Sequence, residues 1–144
     1  MQIQRIQTVY IFLALVAMSI FLAMPYGSLV AVGETTVEYH RLTVTGEWSV
    51  MIPAGVCALL LLADIFFYRN LSLQRRVLKI SLLLTLAVIV TVCFALYRQG
   101  AAEGIAAHVS AWDILLLISI LFEILGIRGI NHDIKLLNSY NRLR

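Results

Sequence analysis

The chain has 144 residues, 61% of them hydrophobic and only 13% charged. A water-soluble domain carries roughly 45–50% apolar and about 25% charged residues, so an ordinary soluble domain is excluded, as is a disordered segment, which is poor in apolar residues. The net charge of +3, from 11 Lys+Arg against 8 Asp+Glu, is too small for a nucleic-acid binder unless clustered on one face.

What remains is a single domain over 1–144 whose main solvent is lipid. A helix that crosses a bilayer needs about 20 apolar residues with little charge. Four runs meet that standard, at 6–24, 50–68, 77–97 and 111–128. The first has a basic start at Arg5 and an apolar core, as a secretory leader does. No small-x-small site follows it and Pro25 stands where cleavage would fall, so it is expected to stay as an anchor. The second carries Pro53 near its start, where a missing N–H costs least.

Between the first two runs, Val30-Ala31-Val32 and the β-branched stretch 35–45 (TTVEYHRLTVT) flank Gly33-Glu34, which predicts a small β-hairpin, with an irregular loop as the alternative. An isolated hairpin is marginal and needs something to pack on. The segment 98–110 (RQGAAEGIAAHVS) is small-residue-rich and is expected to do little beyond connect. Trp48 and Trp112 open the second and fourth runs and read as interfacial anchors.

Orientation follows from the cytoplasmic excess of Lys and Arg. Arg5 precedes the first run, Arg69, Arg75, Arg76 and Lys79 lie between the second and third, and Arg128, Lys135, Arg142 and Arg144 follow the fourth. Only Arg41 and Arg98 lie in the other two connections. This basic belt predicts a multi-pass protein of a bacterial inner membrane with both termini cytoplasmic. The tail 129–144 places Ile130, Ile134, Leu136, Leu137, Tyr140 and Leu143 on about half of a helical wheel. It is expected to form an amphipathic cytoplasmic helix lying on the leaflet or on a partner, or else a plain extension of the fourth span.

Ionisable residues within a span are the best pointers to function, each costing about 2.5–3.5 kcal/mol at the bilayer centre on insertion scales. Asp64 and Glu123 qualify; Asp113, at a span boundary, is weaker. Helix rise puts each acid about 6–8 Å from Arg69 or Arg128, hence at similar depth. The pair reads either as a proton or cation site facing the bundle interior or as structural, each acid reaching the arginines or bonding a neighbouring helix. Gln4-Arg5 and Asp64-x4-Arg69 are echoed by Gln74-Arg75 and Glu123-x4-Arg128, which hints at two parallel repeats about an axis along the membrane normal.

Enzymatic readings lack residues. Cys57 and Cys93 lie in separate apolar runs with no CxxC or zinc spacing, and His40, His108 and His132 all fall outside the runs, so no haem ligands are supplied. There is no HExxH and no phosphate loop. Ser19 and Ser119 lack a base, and Lys79 near Ser81 sits at a span edge. No catalytic, cofactor or metal site is expected.

The opening MQIQRIQTVYIFLALVA, the middle FYRNLSLQRRVLKISLLL and the closing RGINHDIKLLNSYNRLR together resemble a family of small four-span inner-membrane proteins of Bacteroidetes, domain of unknown function 4293. The resemblance rests on Ile3-Gln4-Arg5-Ile6-Gln7, Arg69-x3-Leu73-Gln74, Asp133-x-Lys135-Leu136 and Arg142-Leu143-Arg144, and covers essentially the whole chain. It implies an all-α membrane fold of two helical hairpins and no particular activity. The matching positions cluster on the cytoplasmic side, so a shared role implies a contact on that face. The leading expectation is a non-enzymatic accessory or scaffold subunit, with the bilayer, a membrane partner or a second copy as its contacts. The alternative is an oligomeric transporter or channel using Asp64 and Glu123, and lipid or quinone binding between helices is a third option.

Overall fold

A computed structural model describes residues 3–32, 37–105 and 107–142. Four helices, α1 (Ile3–Ala23), α2 (Trp48–Phe66), α3 (Leu71–Glu103) and α4 (Ile114–Arg142), run alternately up and down. They form a ring in which α1 packs on α2, α2 on α3, α3 on α4 and α4 back on α1. Among the described residues, three stretches are long and apolar enough to cross a membrane: Ile6–Ala23, Trp48–Arg69 and Leu71–Ala102.

The buried positions follow one rule on every helix. In α1 they are Gln7, Ile11, Ala14, Met18 and Phe21, with Ala17 beside Met18; in α2, Val50, Ala54, Cys57, Leu61 and Asp64. In α3 they include Gln74, Leu78, Ser81, Thr85, Val88, Val92 and Ala95, and in α4 Leu116, Ser119, Glu123, Ile130 and Asp133. The steps alternate four and three, with Gly126 filling the gap in α4. That is the 3.5-residue repeat that keeps one seam of each helix facing its neighbours in a left-handed bundle. Outside the seam, large apolar side chains such as Phe12, Leu59, Phe66, Leu83, Val90, Phe94, Leu117 and Leu121 stay exposed. The polar residues Gln7, Asp64, Gln74, Ser81, Thr85, Ser119, Glu123 and Asp133 are buried. Unlike a soluble bundle, the outside is apolar like the core, and the buried polar residues gather on the seam.

One end of the bundle is capped by a three-stranded antiparallel sheet in the order β2-β1-β3, with β1 Pro25–Val32, β2 Val37–Thr43 and β3 Ala107–Val109. The β1–β2 pairing is the expected hairpin, but β1 begins five residues earlier than Val30, and its Tyr26 and Leu29 are buried. The Gly33-Glu34 turn lies outside the described residues. The segment 98–110 does more than connect: it supplies β3, which pairs Gly27, Ser28 and Leu29 with Val109, His108 and Ala107. Three residues are too short to show a strand pattern in sequence, but they satisfy the open edge of β1.

Other boundaries shift for similar reasons. Arg75, Arg76 and Lys79 lie on α3 rather than in a loop, because a single 3-10 turn, Phe67–Arg69, and Asn70 suffice to join α2 to α3. Pro53 sits in the second turn of α2, which begins at Trp48. The tail is not a separate helix: α4 continues unbroken to Arg142, burying Ile130 and Asp133 while Leu136 and Leu137 remain exposed. Packing of the seam on α1, rather than the apolar stripe, decides which face of the tail turns inward.

Helix α3 stops at Gly104, whose φ of 65° lies in the left-handed region and whose N–H bonds the Gly100 carbonyl. A Cβ there is strained whatever space surrounds it. Gly104→Ala is expected to lower stability by about 1 kcal/mol, read as a lower unfolding midpoint in detergent.

Candidate functional site

The interior polar residues form one seam. At the end of the bundle away from the sheet, the Gln7 Nε2 of α1 donates to the Asp133 carboxylate of α4. Gly129 makes room for this pair, since a Cβ there would meet the Gln7 Cγ at 2.9 Å. Across the ring, the Gln74 Nε2 of α3 donates to the Asp64 backbone carbonyl of α2 at 3.5 Å. The two Gln–Asp contacts occupy equivalent places, one joining α1 to α4 and the other α3 to α2. Buried Gln7-Ile11-Ala14-Met18-Phe21 matches Gln74-Leu78-Ser81-Thr85-Val88, and Cys57-Leu61-Asp64 matches Gly126-Ile130-Asp133. This corrects the register of the internal repeat: Asp64 corresponds to Asp133, not to Glu123.

Glu123 therefore has no acidic counterpart; the matching position in α2 is Ala54. It sits further along the seam, fully buried. Its Oε1 accepts hydrogen bonds from Thr85 Oγ1 of α3 at 2.9 Å and from Ser119 Oγ, one turn earlier in α4, at 3.2 Å. The Cys57 Sγ of α2 lies 3.2 Å from Thr85 Oγ1 and 3.5 Å from Ser81 Oγ. The Glu123 Oε2 and both carboxylate oxygens of Asp64 have no hydrogen-bond partner. Neither acid reaches an arginine in the way one structural alternative required; Glu123 instead bonds its neighbouring helix. Nor are they level: Cys57, beside Glu123's partner Thr85, stands two turns, about 10 Å, from Asp64 along α2. Equal spacing to Arg69 and Arg128 does not give equal depth, because α4 runs on past the end of α2. The two acids are still near enough for the charge of Glu123 to act on Asp64.

The basic residues lie outside the seam. Arg69, Arg76, Lys79, Arg128 and Lys135 are exposed, and Arg75 donates to Asn131 Oδ1 of α4 at 3.3 Å. Arg144 and the side chains of Arg5 and Arg142 lie outside what the structure describes. Trp48 and Trp112 are exposed at the sheet end. Among the described residues no group of three or more His, Cys, Asp or Glu side chains is placed to hold a metal ion.

The sheet end holds a second polar cluster, centred on Glu47, which sequence reasoning missed. Arg98 Nη2 lies 2.8 Å and 2.9 Å from its two carboxylate oxygens, Gln99 Nε2 donates to Oε2 at 2.9 Å, and Ser49 Oγ donates to Oε1 at 2.9 Å. Gln99 also donates to the buried Tyr26 Oη at 3.0 Å, tying β1 to α3. Burial pushes the Glu47 carboxyl up, but the bonds from Ser49 and Gln99 and the Arg98 charge outweigh it and hold the group below its ordinary range. Burial raises the Tyr26 phenol, with the Gln99 bond opposing. Below this cluster an apolar groove of about 450 Å³ runs between α3 and α4, lined by Ile89, Val92, Cys93, Leu96 and Leu117, with the unpartnered Asp113 carboxyl beside it.

The fold and seam thus define a class: a helical bundle with an apolar exterior and an apolar core that encloses a few polar side chains. The chain belongs to the family described as Domain of unknown function (DUF4293), whose model it matches over residues 3–143. Comparison with curated proteins and with solved structures found no match.

Because the Glu47 carboxyl is held below its unfolded value, its contribution is present above the ordinary carboxyl range and lost as pH falls through the folded value. The unfolding midpoint in detergent is expected to fall on acidification below about pH 4, and Glu47→Gln to flatten that dependence. Thr85→Val, which removes one donor to Glu123, is expected to cost about 0.6 kcal/mol, the average for interhelical bonds of membrane bundles, measured by denaturant titration in micelles.

Proposed function

We propose that the chain is an integral membrane protein with all four helices crossing the bilayer, both termini and the α2–α3 turn on the cytoplasmic side of a bacterial inner membrane, working as a non-enzymatic accessory or scaffold subunit of a larger assembly. The observation that carries the membrane reading is the exterior: large apolar side chains are exposed around the whole ring, while several acids and amides are buried within it. Lipid tails accept such an exterior, and they give no hydrophobic drive for the helices to associate, so close packing and interior hydrogen bonds must hold the ring together. The exposed Arg69, Arg76, Lys79 and Arg128 at the end away from the sheet support the orientation. The same end offers these side chains to a cytoplasmic-face partner.

In a Cys93→Ala background, His40→Cys is expected to react with a membrane-impermeant maleimide in intact cells, and Arg76→Cys only after permeabilisation. Purification in mild detergent followed by mass spectrometry tests the subunit role, with a reproducible membrane-protein partner expected. Recovery as a partner-free monomer or homo-oligomer counts against it.

A second reading, a small oligomeric transporter or channel coupled through Asp64 and Glu123, is favoured by the inward placement of both acids. Liposome flux that is present in the wild type and lost in Asp64→Asn and Glu123→Gln supports it.

A further inference from the structure

We propose that Glu123 is a reversible proton-binding site at the heart of the bundle; this deepens the second reading above by naming one acid and the proton as its ion, and rests on it.

Three observations carry the assignment. First, the internal repeat matches Asp64 with Asp133 by position, although Gln74 reaches only the Asp64 backbone carbonyl whereas Gln7 reaches the Asp133 carboxylate, and it leaves Glu123 as the seam acid without a counterpart. Second, the site is asymmetric at the atomic level. Glu123 Oε1 is held by Thr85 and Ser119, whereas Oε2 is buried with no partner. A carboxylate in that setting leaves one oxygen's charge uncompensated in a medium of low dielectric, which costs several kcal/mol; a proton on Oε2 removes that charge without moving a helix. Third, among the described residues no cationic side chain shares the site. The groups nearest it are Cys57 from α2 and the hydroxyls of Ser81 and Thr85 from α3, with Asp64 about two turns further along α2. On α1 the Ala14 carbonyl lies 3.4 Å from Ser119 Oγ, and Tyr10, one turn away, stacks on Phe122. Lys79 and Arg128 are exposed on the outer faces of their helices. With no cation beside it to balance a carboxylate, a proton is what neutralises the group.

Infrared difference spectroscopy of the full chain in lipid nanodiscs, perfused between acidic and alkaline buffer, reads the site directly. A protonated-carboxyl band that bleaches at alkaline pH, disappears in Glu123→Gln and persists in Asp133→Asn is expected. Thr85→Val, which keeps the acid and removes a donor, is expected to shift that band. A band that survives Glu123→Gln, a wild type with no pH-sensitive carboxyl, or a band unmoved in Thr85→Val overturns the proposal. A titration midpoint that follows sodium concentration overturns the proton in favour of a metal cation. Proton uptake without liposome flux leaves the site standing and removes the transport reading; flux with no Glu123 signal does the reverse.

Discussion

The structure depends on one constraint: a polar group enclosed by apolar helices must find its partner inside the ring. Each helix answers that constraint by the same device, a seam of alternating four- and three-residue steps that turns its amides, hydroxyls and acids toward its neighbours, and it leaves the Asp64 carboxylate and one oxygen each of Glu123 and Asp133 without a partner. Gln7 finds Asp133, Thr85 and Ser119 find Glu123, and Cys57 finds Ser81 and Thr85. Each bond fixes the relative rotation of two helices, which the featureless apolar exterior does not.

Close approach is the second requirement, and it falls to small residues. Ala14, Ala54, Ser81, Ser119, Gly126 and Gly129 occupy seam positions or flank them, so the helices approach closely enough for dispersion contacts and interhelical bonds. At the sheet end a different solution applies. There the chain leaves the helical regime, and backbone groups are satisfied by strand pairing that draws both long connections into one sheet, with Glu47, Arg98, Gln99 and Tyr26 anchoring it to α2 and α3.

The internal repeat shows where the chemistry departs from the scaffold. A bundle built twice from one hairpin plan supplies two Gln–Asp contacts, and Glu123 stands outside that plan in a lattice of hydroxyls. Its separateness comes into view only when the halves are aligned on buried positions. Aligned on the basic residues that flank the runs, Asp64 and Glu123 look like equivalents.

Length, composition and hydrophobic runs by themselves determined the helical class, helices long and apolar enough to cross a membrane, the hairpin of β1 and β2 and the two acids worth attention, because each is a local or additive property of the chain. The tertiary structure decided the rest. Runs as uniformly apolar as 77–97 carry almost no amphipathic signal, so helix rotation is set by which polar side chains meet across the ring. Gln74, Ser81 and Thr85, seven and four positions apart, were there to be read as one stripe, yet only the facing helices show that this stripe is the core. The short strand β3, the continuation of α4 through the tail and the Glu47 cluster arise from partners distant in sequence, and no window along the chain contains them.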